Sequence, residues 1–131
     1  AVVLSADTVV ELDGKILGKP HSEAEAAEML RALSGRSHRV LTGVTVMGSE
    51  GTMTHCEETE VYFRPLTEEE IQWYVGTGEP MDKAGAYGIQ GYAAMFIEKI
   101  HGDYYNVMGL PVCRVGLMLR QAGIPLLGAE A

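Results

Sequence analysis

The chain has 131 residues, 47% of them hydrophobic and 21% charged, with a formal net charge of −8, a pI near 4.9 and a mean hydropathy of +0.04. This balance suits one globular domain with a buried core. It argues against a nonspecific surface for nucleic-acid polymers, which needs clustered Lys and Arg, and no run reaches the ~18 apolar residues that a membrane span requires.

The apolar opening, AVVLSADTVV, lacks a basic flank and is interrupted by Asp7, so it does not read as a signal peptide, and a cytoplasmic location is expected. Ala1 leads straight into strand-like sequence, which leaves open a fragment whose natural start lies elsewhere. Val2–Leu4 and Thr8–Leu12 are rich in β-branched and aliphatic residues. They predict a short strand and, through the Asp13-Gly14 turn, a hairpin with Lys15–Leu17. Ser22 followed by Glu25 is a capping-box pattern, and Ala26, Met29, Leu30 and Leu33 recur at helical spacing until Ser34-Gly35.

From His38 to Gly48 both alternating sets contain apolar residues, which predicts a strand covered by protein on both faces. After Ser49-Glu50-Gly51, the segment Thr52–Arg64 alternates again, with Thr59, Val61 and Phe63 on one face. The two form a predicted antiparallel pair. Thr67 and Glu70 repeat the capping pattern, the run Glu68-Glu69-Glu70 suits the first helical turn, and Ile71, Tyr74 and Val75 supply an apolar stripe.

Glu79–Gly91 carries Gly85, Gly88 and Gly91 without a clean period and is expected to be an ordered loop. Tyr92–Ile100 is ambiguous between strand and short helix, and Leu110–Gln121 reads as a last helix with Pro111 near its start. Pro125 and the small residues after it read as a frayed tail. No repeat or linker supports a second domain, so residues 1–131 are taken as one domain.

Asp7 is placed at the end of an apolar strand, where α/β folds present ligand-binding groups. It can hold a divalent metal or take a proton from water; a capping or turn aspartate is the competing reading. Lys19, between Gly18 and Pro20, can clamp a phosphate or be a solvated turn lysine. Lys83 sits beside close-packed glycines, and Gln90 offers an amide donor and a carbonyl acceptor, a pairing that suits a phosphate next to a base edge; the loop can equally be structural.

No Walker motif, HExxH or GxSxG occurs. The histidines His21, His38, His55 and His101 are expected to be surface or hydrogen-bonding residues. Cys56 and Cys113 lie far apart without a CxxC and are taken as small buried hydrophobes. Met81, Met95, Met108 and Met118 are taken as core filler.

Taken in order, ADTVV, LDGKILGKP, EAAEML, LSGRSHRVLTGV, ETEVYFRPLTEEEIQWYV, TGEPMDKAGAYGIQG and GDYYNVMGLPV resemble the Maf family from about Val2 to Leu119. The resemblance implies an α/β fold of Maf/ITPase-like type, with a twisted mixed sheet, flanking helices and two lobes around a cleft. It also implies hydrolysis of nucleoside triphosphates to the monophosphate and pyrophosphate with a divalent cation, Mg or Mn. Asp7 would be the proton acceptor and a metal ligand, Lys19 and Lys83 would line the cleft, and Thr8 and Gln90 would take part in substrate choice. The form YGIQG is similar to the branch that hydrolyses dTTP and UTP.

The family normally opens with a strand and a Ser-x-Ser-Pro-Arg-Arg segment that binds phosphate, followed by a helix. None of that precedes Ala1. The N-terminal strand and helix are therefore expected to be missing, either because the chain is a fragment or because the gene product is short. A homodimer could cover the strand edge so exposed. A catalytically impaired module that binds a nucleotide or a protein, with a regulatory role in cell division for example, is the alternative function.

Overall fold

The computed structural model describes residues 1–127. Five strands, β1 (Val3–Leu12), β2 (Lys15–Leu17), β3 (Ser37–Gly48), β4 (Gly51–Phe63) and β5 (Ile97–His101), form one sheet. Its order is β2-β1-β3-β4-β5, and every ladder among the described residues is antiparallel. Among the described residues four α-helices flank it: α1 (Glu23–Leu33), α2 (Glu68–Gly76), α3 (Tyr104–Met108) and α4 (Val112–Gln121). Among the described residues no helix is long and apolar enough to cross a membrane.

Asp13 and Gly14 take left-handed backbone angles, φ 52° and 81°, and this tight turn folds β2 back on β1. The helices start where capping chemistry places them. Ser22 Oγ accepts from Glu25 N at 3.1 Å; Thr67 Oγ1 accepts from Glu70 N at 3.1 Å while Glu70 Oε1 accepts from Thr67 N at 2.9 Å. Such caps contribute about 1 kcal/mol each. Acidic residues occupy the first turn of α2, and Glu68 and Glu70 also pair with Arg31 and Arg64.

Strand β1 is continuous across residues that the sequence divides in two. Its register runs from Val3 opposite Met47 to Glu11 opposite Arg39, so the long β3 template holds even the poor strand former Asp7 in the ladder. Asp7 thus lies inside the strand, opposite Gly43, and not at a strand end. Among the described residues β2 pairs only Val10–Leu12, leaving the outer edge of β1 open from Val3 to Val9.

The helices cover one face of the sheet. Positions His38, Val40, Thr42, Val44 and Val46 are buried, whereas Arg39, Gly43 and Met47 are exposed. The expectation of a two-sided covering for β3 is corrected accordingly: an antiparallel sheet can leave one face to water. Two apolar clusters share the covered face. The larger joins Val10, Val40, Val61 and Phe63 to α1 and α2 through Leu30, Leu33, Ile71 and Tyr74; the smaller joins Val44 and Val46 to Val115 and Met118 of α4. Thr42 lies between them on β3, so two packed lobes meet at a polar seam.

Tyr92–Ile100 resolves into a 3-10 turn at Tyr92–Phe96 followed by β5. The short α3, absent from the sequence reading, begins where Asp103 Oδ1 accepts from Tyr105 N at 2.9 Å and stops at Gly109, φ 120°. Cys56 and Cys113 are both exposed, not buried: Cys56 pairs with Gly43 and shares its open face. Met118 belongs to the smaller cluster and Met81 packs against the larger one, but Met95 and Met108 are exposed. The tail reading from Pro125 falls in part on residues 128–131, outside the described residues.

Candidate active site

A cleft of about 440 Å³ opens on the covered face of the sheet at the seam between the lobes. Thr8, Val10 and Val40 form its floor, Glu79 with residues 83–84 and 87–91 one wall, and Val107, Met108 and Gly109 the other. Its size and largely apolar lining with a few convergent polar groups suit a small organic ligand.

The floor is fixed by buried polar bonds. Thr8 Oγ1 shares a hydrogen bond with Thr42 Oγ1 at 2.8 Å and donates to the Gly109 carbonyl at 3.3 Å. The fully buried Asn106 donates through Nδ2 to Val40 O at 3.1 Å, Glu57 O at 3.2 Å and Thr59 Oγ1 at 2.9 Å. These contacts bind α3 to the sheet and so set the second wall.

The first wall is shaped by glycines and one strained residue. Gly85 and Ala86 take left-handed angles, φ 72° and 66°, and Gly85 N donates to the Gly18 carbonyl at 3.1 Å. A Cβ on Gly85 would lie 2.9 Å from Val10, so the wall approaches β1 as closely as only glycine permits. Further on, the stem of Lys83 lies over Gly88, where a Cβ would come within 2.6 Å of Lys83 Cε. Lys83 Nζ donates to Asp82 Oδ1 at 2.9 Å. That bond, with the charges of Lys83 and then Lys19, holds the Asp82 carboxyl below its ordinary range.

Beneath this wall Tyr87 Oη and His38 Nε2 lie 2.6 Å apart in a buried pair, packed edge to face with Phe63. Burial lowers the His38 pKa from 6.5 to about 4. His38 is therefore neutral in the fold down to pH about 4, whereas the unfolded chain takes up its proton near pH 6.5. Its contribution is present above that pH and is lost as pH falls towards 4, about 3 kcal/mol in all. Glu68 and Glu70, held near 2 by Arg31 and Arg64, act in a lower window, from 4.5 down to 2. Urea midpoints measured against pH should decline through both windows, and His38→Phe should flatten the upper one alone.

The structure brings Thr8, Lys83 and Gln90 to one cleft. Lys19 is exposed; it follows Gly18, which is bonded to the loop, and flanks the cleft without lining it. Asp7 is exposed and pairs with Gly43; strand alternation directs it to the face opposite Thr8. The sequence reading missed Glu79, Tyr74, Thr42, Tyr87 and Asn106. Glu79 and Tyr87 stand inside the glycine-rich block and could have been found there, but Asn106 carried no local signal because its partners lie on β3 and β4.

The antiparallel sheet carries a glycine-rich wall over a threonine floor, and the family model described as Maf-like protein matches residues 1–122. The chain belongs to the Maf family. It is similar to proteins named dTTP/UTP pyrophosphatase from Symbiobacterium thermophilum (63% identical over 96% of this chain and 65% of the relative) and Bacillus velezensis (55% identical over 95% and 66%). Another, from Bacillus mycoides, is 58% identical over 92% of this chain and 63% of the relative. The chain thus spans just under two thirds of the length of these curated relatives.

Proposed function

We propose that the cleft is the substrate site of a nucleoside triphosphate pyrophosphatase acting on dTTP and UTP. The observation that carries this reading is the convergence of Thr8, Lys83 and Gln90 on one cleft of nucleoside scale; the names of the relatives support the choice of substrate. Gln90 faces the base with a donor and an acceptor, Lys83 draws a phosphate oxygen, and Lys19 adds positive charge at the flank.

In the reaction, a water oxygen bonds to the α-phosphorus and the bond from that phosphorus to the oxygen bridging to the β-phosphorus breaks. Pyrophosphate leaves with the electron pair, and the water proton passes to Asp7. Thr8 and Asp7 are consecutive on β1. This reading requires the α-phosphate to lie at the open edge of that strand, where the far-face carboxylate can approach it. Positioning and charge neutralisation then supply most of the rate.

Among the described residues no three His, Cys, Asp or Glu side chains come together to hold a metal ion. Magnesium needs only one or two protein carboxylates when phosphates and water complete its shell, so the residues suit a cation, Mg or Mn, that arrives with the nucleotide, with Asp7 as the carboxylate that would hold it. Bound there it would neutralise phosphate charge. A cytoplasmic location and a homodimer through the β1 edge belong to the same reading; no specific observation favours the noncatalytic module.

Calorimetric titration with dTTP tests the assignment of the cleft. Loss of a charge-assisted phosphate contact costs about 1.5–3 kcal/mol, so Lys83→Ala should weaken binding roughly 10- to 150-fold. Unchanged affinity in a folded Lys83→Ala protein would remove the nucleotide from this cleft.

A further inference from the structure

The five residues Gly88–Tyr92, which carry Gln90, are held at both ends by one side-chain pair. Gly88 N donates to Tyr74 Oη at 3.3 Å, and Tyr92 N donates to Glu79 Oε1 at 3.1 Å. The pair is itself closed by the Tyr74 hydroxyl donating to Glu79 Oε2. Tyr74 is fully buried against Phe96 in the larger core, so the clamp is anchored in the packed interior. At Gly91 the carboxylate of Glu79 occupies the space a side chain would need: a Cβ there would fall 2.0 Å from Glu79 Oε1.

A short loop tied at only one end can pivot and carry its side chains away from a ligand. Ties at both ends, joined through one hydroxyl and one carboxylate, remove that freedom before a ligand binds, which lowers the ordering cost of binding. Between the ties the exposed Gln90 stands at the cleft.

We infer that Tyr74 and Glu79 are positioning residues that set Gln90 against the base of a pyrimidine nucleotide, and so govern discrimination between bases with a carbonyl and bases with an amino group at the 4-position. This inference rests on the nucleotide-site reading above. A carboxamide tells a carbonyl from an amino group only when both its distance from the base edge and its orientation are fixed, because its own donor and acceptor can exchange places by rotation. Discrimination of this kind comes from leaving polar groups unpaired with the wrong partner, and slack in the loop lets them find partners again.

The test is calorimetric binding of dTTP and dCTP, with magnesium, to the wild-type chain and to Tyr74→Phe, Glu79→Ala, Glu79→Gln and Gly91→Ala, each checked for cooperative melting. Tyr74→Phe, Glu79→Ala and Gly91→Ala should each weaken dTTP binding about tenfold, the worth of one or two lost hydrogen bonds, and bring the dTTP and dCTP affinities closer together. Glu79→Gln keeps one acceptor, Oε1 for Tyr92 N, and its amide nitrogen can donate to Tyr74 Oη where the carboxylate accepted from it, so it should retain affinity and preference better than Glu79→Ala. If Tyr74→Phe and Gly91→Ala melt cooperatively yet keep the wild-type affinity and preference, the clamp is overturned while the nucleotide site stands. If the wild-type chain binds neither nucleotide, both readings fall.

Discussion

Gly85→Ala should lower stability by about 2–5 kcal/mol, combining a left-handed backbone cost of about 1–2 with an overpacking cost of about 1–3. Two separate features of the residue meet here: its φ of 72°, which an L side chain rarely adopts, and the 2.9 Å approach that a Cβ would make to Val10. Val10 is a branched side chain on a strand paired on both sides, so it cannot move aside as the end of a long chain could. Against a total of about 5–15 kcal/mol for a typical domain, this is a large fraction, and the melting temperature should fall by roughly 8–20 °C.

Gly14→Ala provides the comparison. Gly14 also has a left-handed φ, 81°, but nothing lies within 4 Å of its would-be Cβ. Only the backbone cost applies, about 1–2 kcal/mol. The difference between the two variants isolates the contact between the glycine-rich wall and β1. Equal melting temperatures would show that this contact does not hold the wall.

Much of the sheet and both capped helices were legible because their signals are local. The Asp13-Gly14 turn, the alternation through Val40–Phe63 and the reciprocal Thr67–Glu70 cap each act within a few residues. What escaped depends on partners distant in sequence. Asp7 read as a strand end since aspartate disfavours strands, yet β3 pairs it through Gly43. Cys56 read as buried from its residue type, but the open face of the sheet was decided by where the helices packed.

The site divides along the same line. Thr8, Lys83 and Gln90 were named from motifs and do meet at the cleft. Lys19 reaches only its flank, because the GKP segment serves first as a backbone anchor: the Gly18 carbonyl accepts from Gly85 N. The Tyr74–Glu79 bond joins the end of α2 to the loop that follows it, and no composition or spacing rule marks such a bond in advance.

Asp7→Asn should reduce the catalytic rate by about 100- to 10,000-fold, the usual worth of a positioned general base. The substitution keeps size and hydrogen-bonding capacity but cannot accept the proton of the attacking water. Asp7 is exposed and makes no side-chain hydrogen bond or ion pair among the described residues, so its loss should leave the fold intact and the melting temperature within a few degrees of wild type. Binding of dTTP without added divalent cation should persist, since the contacts assigned to Lys83 and Gln90 lie on the cleft side of the sheet. A rate effect without an effect on metal-free binding would separate the proton-accepting and cation-holding work proposed for Asp7 from nucleotide recognition.

Chromatographic analysis of the products formed from dTTP with magnesium or manganese, by the wild-type chain and by Asp7→Asn side by side, tests the account most directly. The wild-type chain should release dTMP and pyrophosphate in equal amounts, and the variant should release almost none. Formation of dTDP and inorganic phosphate, or an equal rate in the variant, would contradict it.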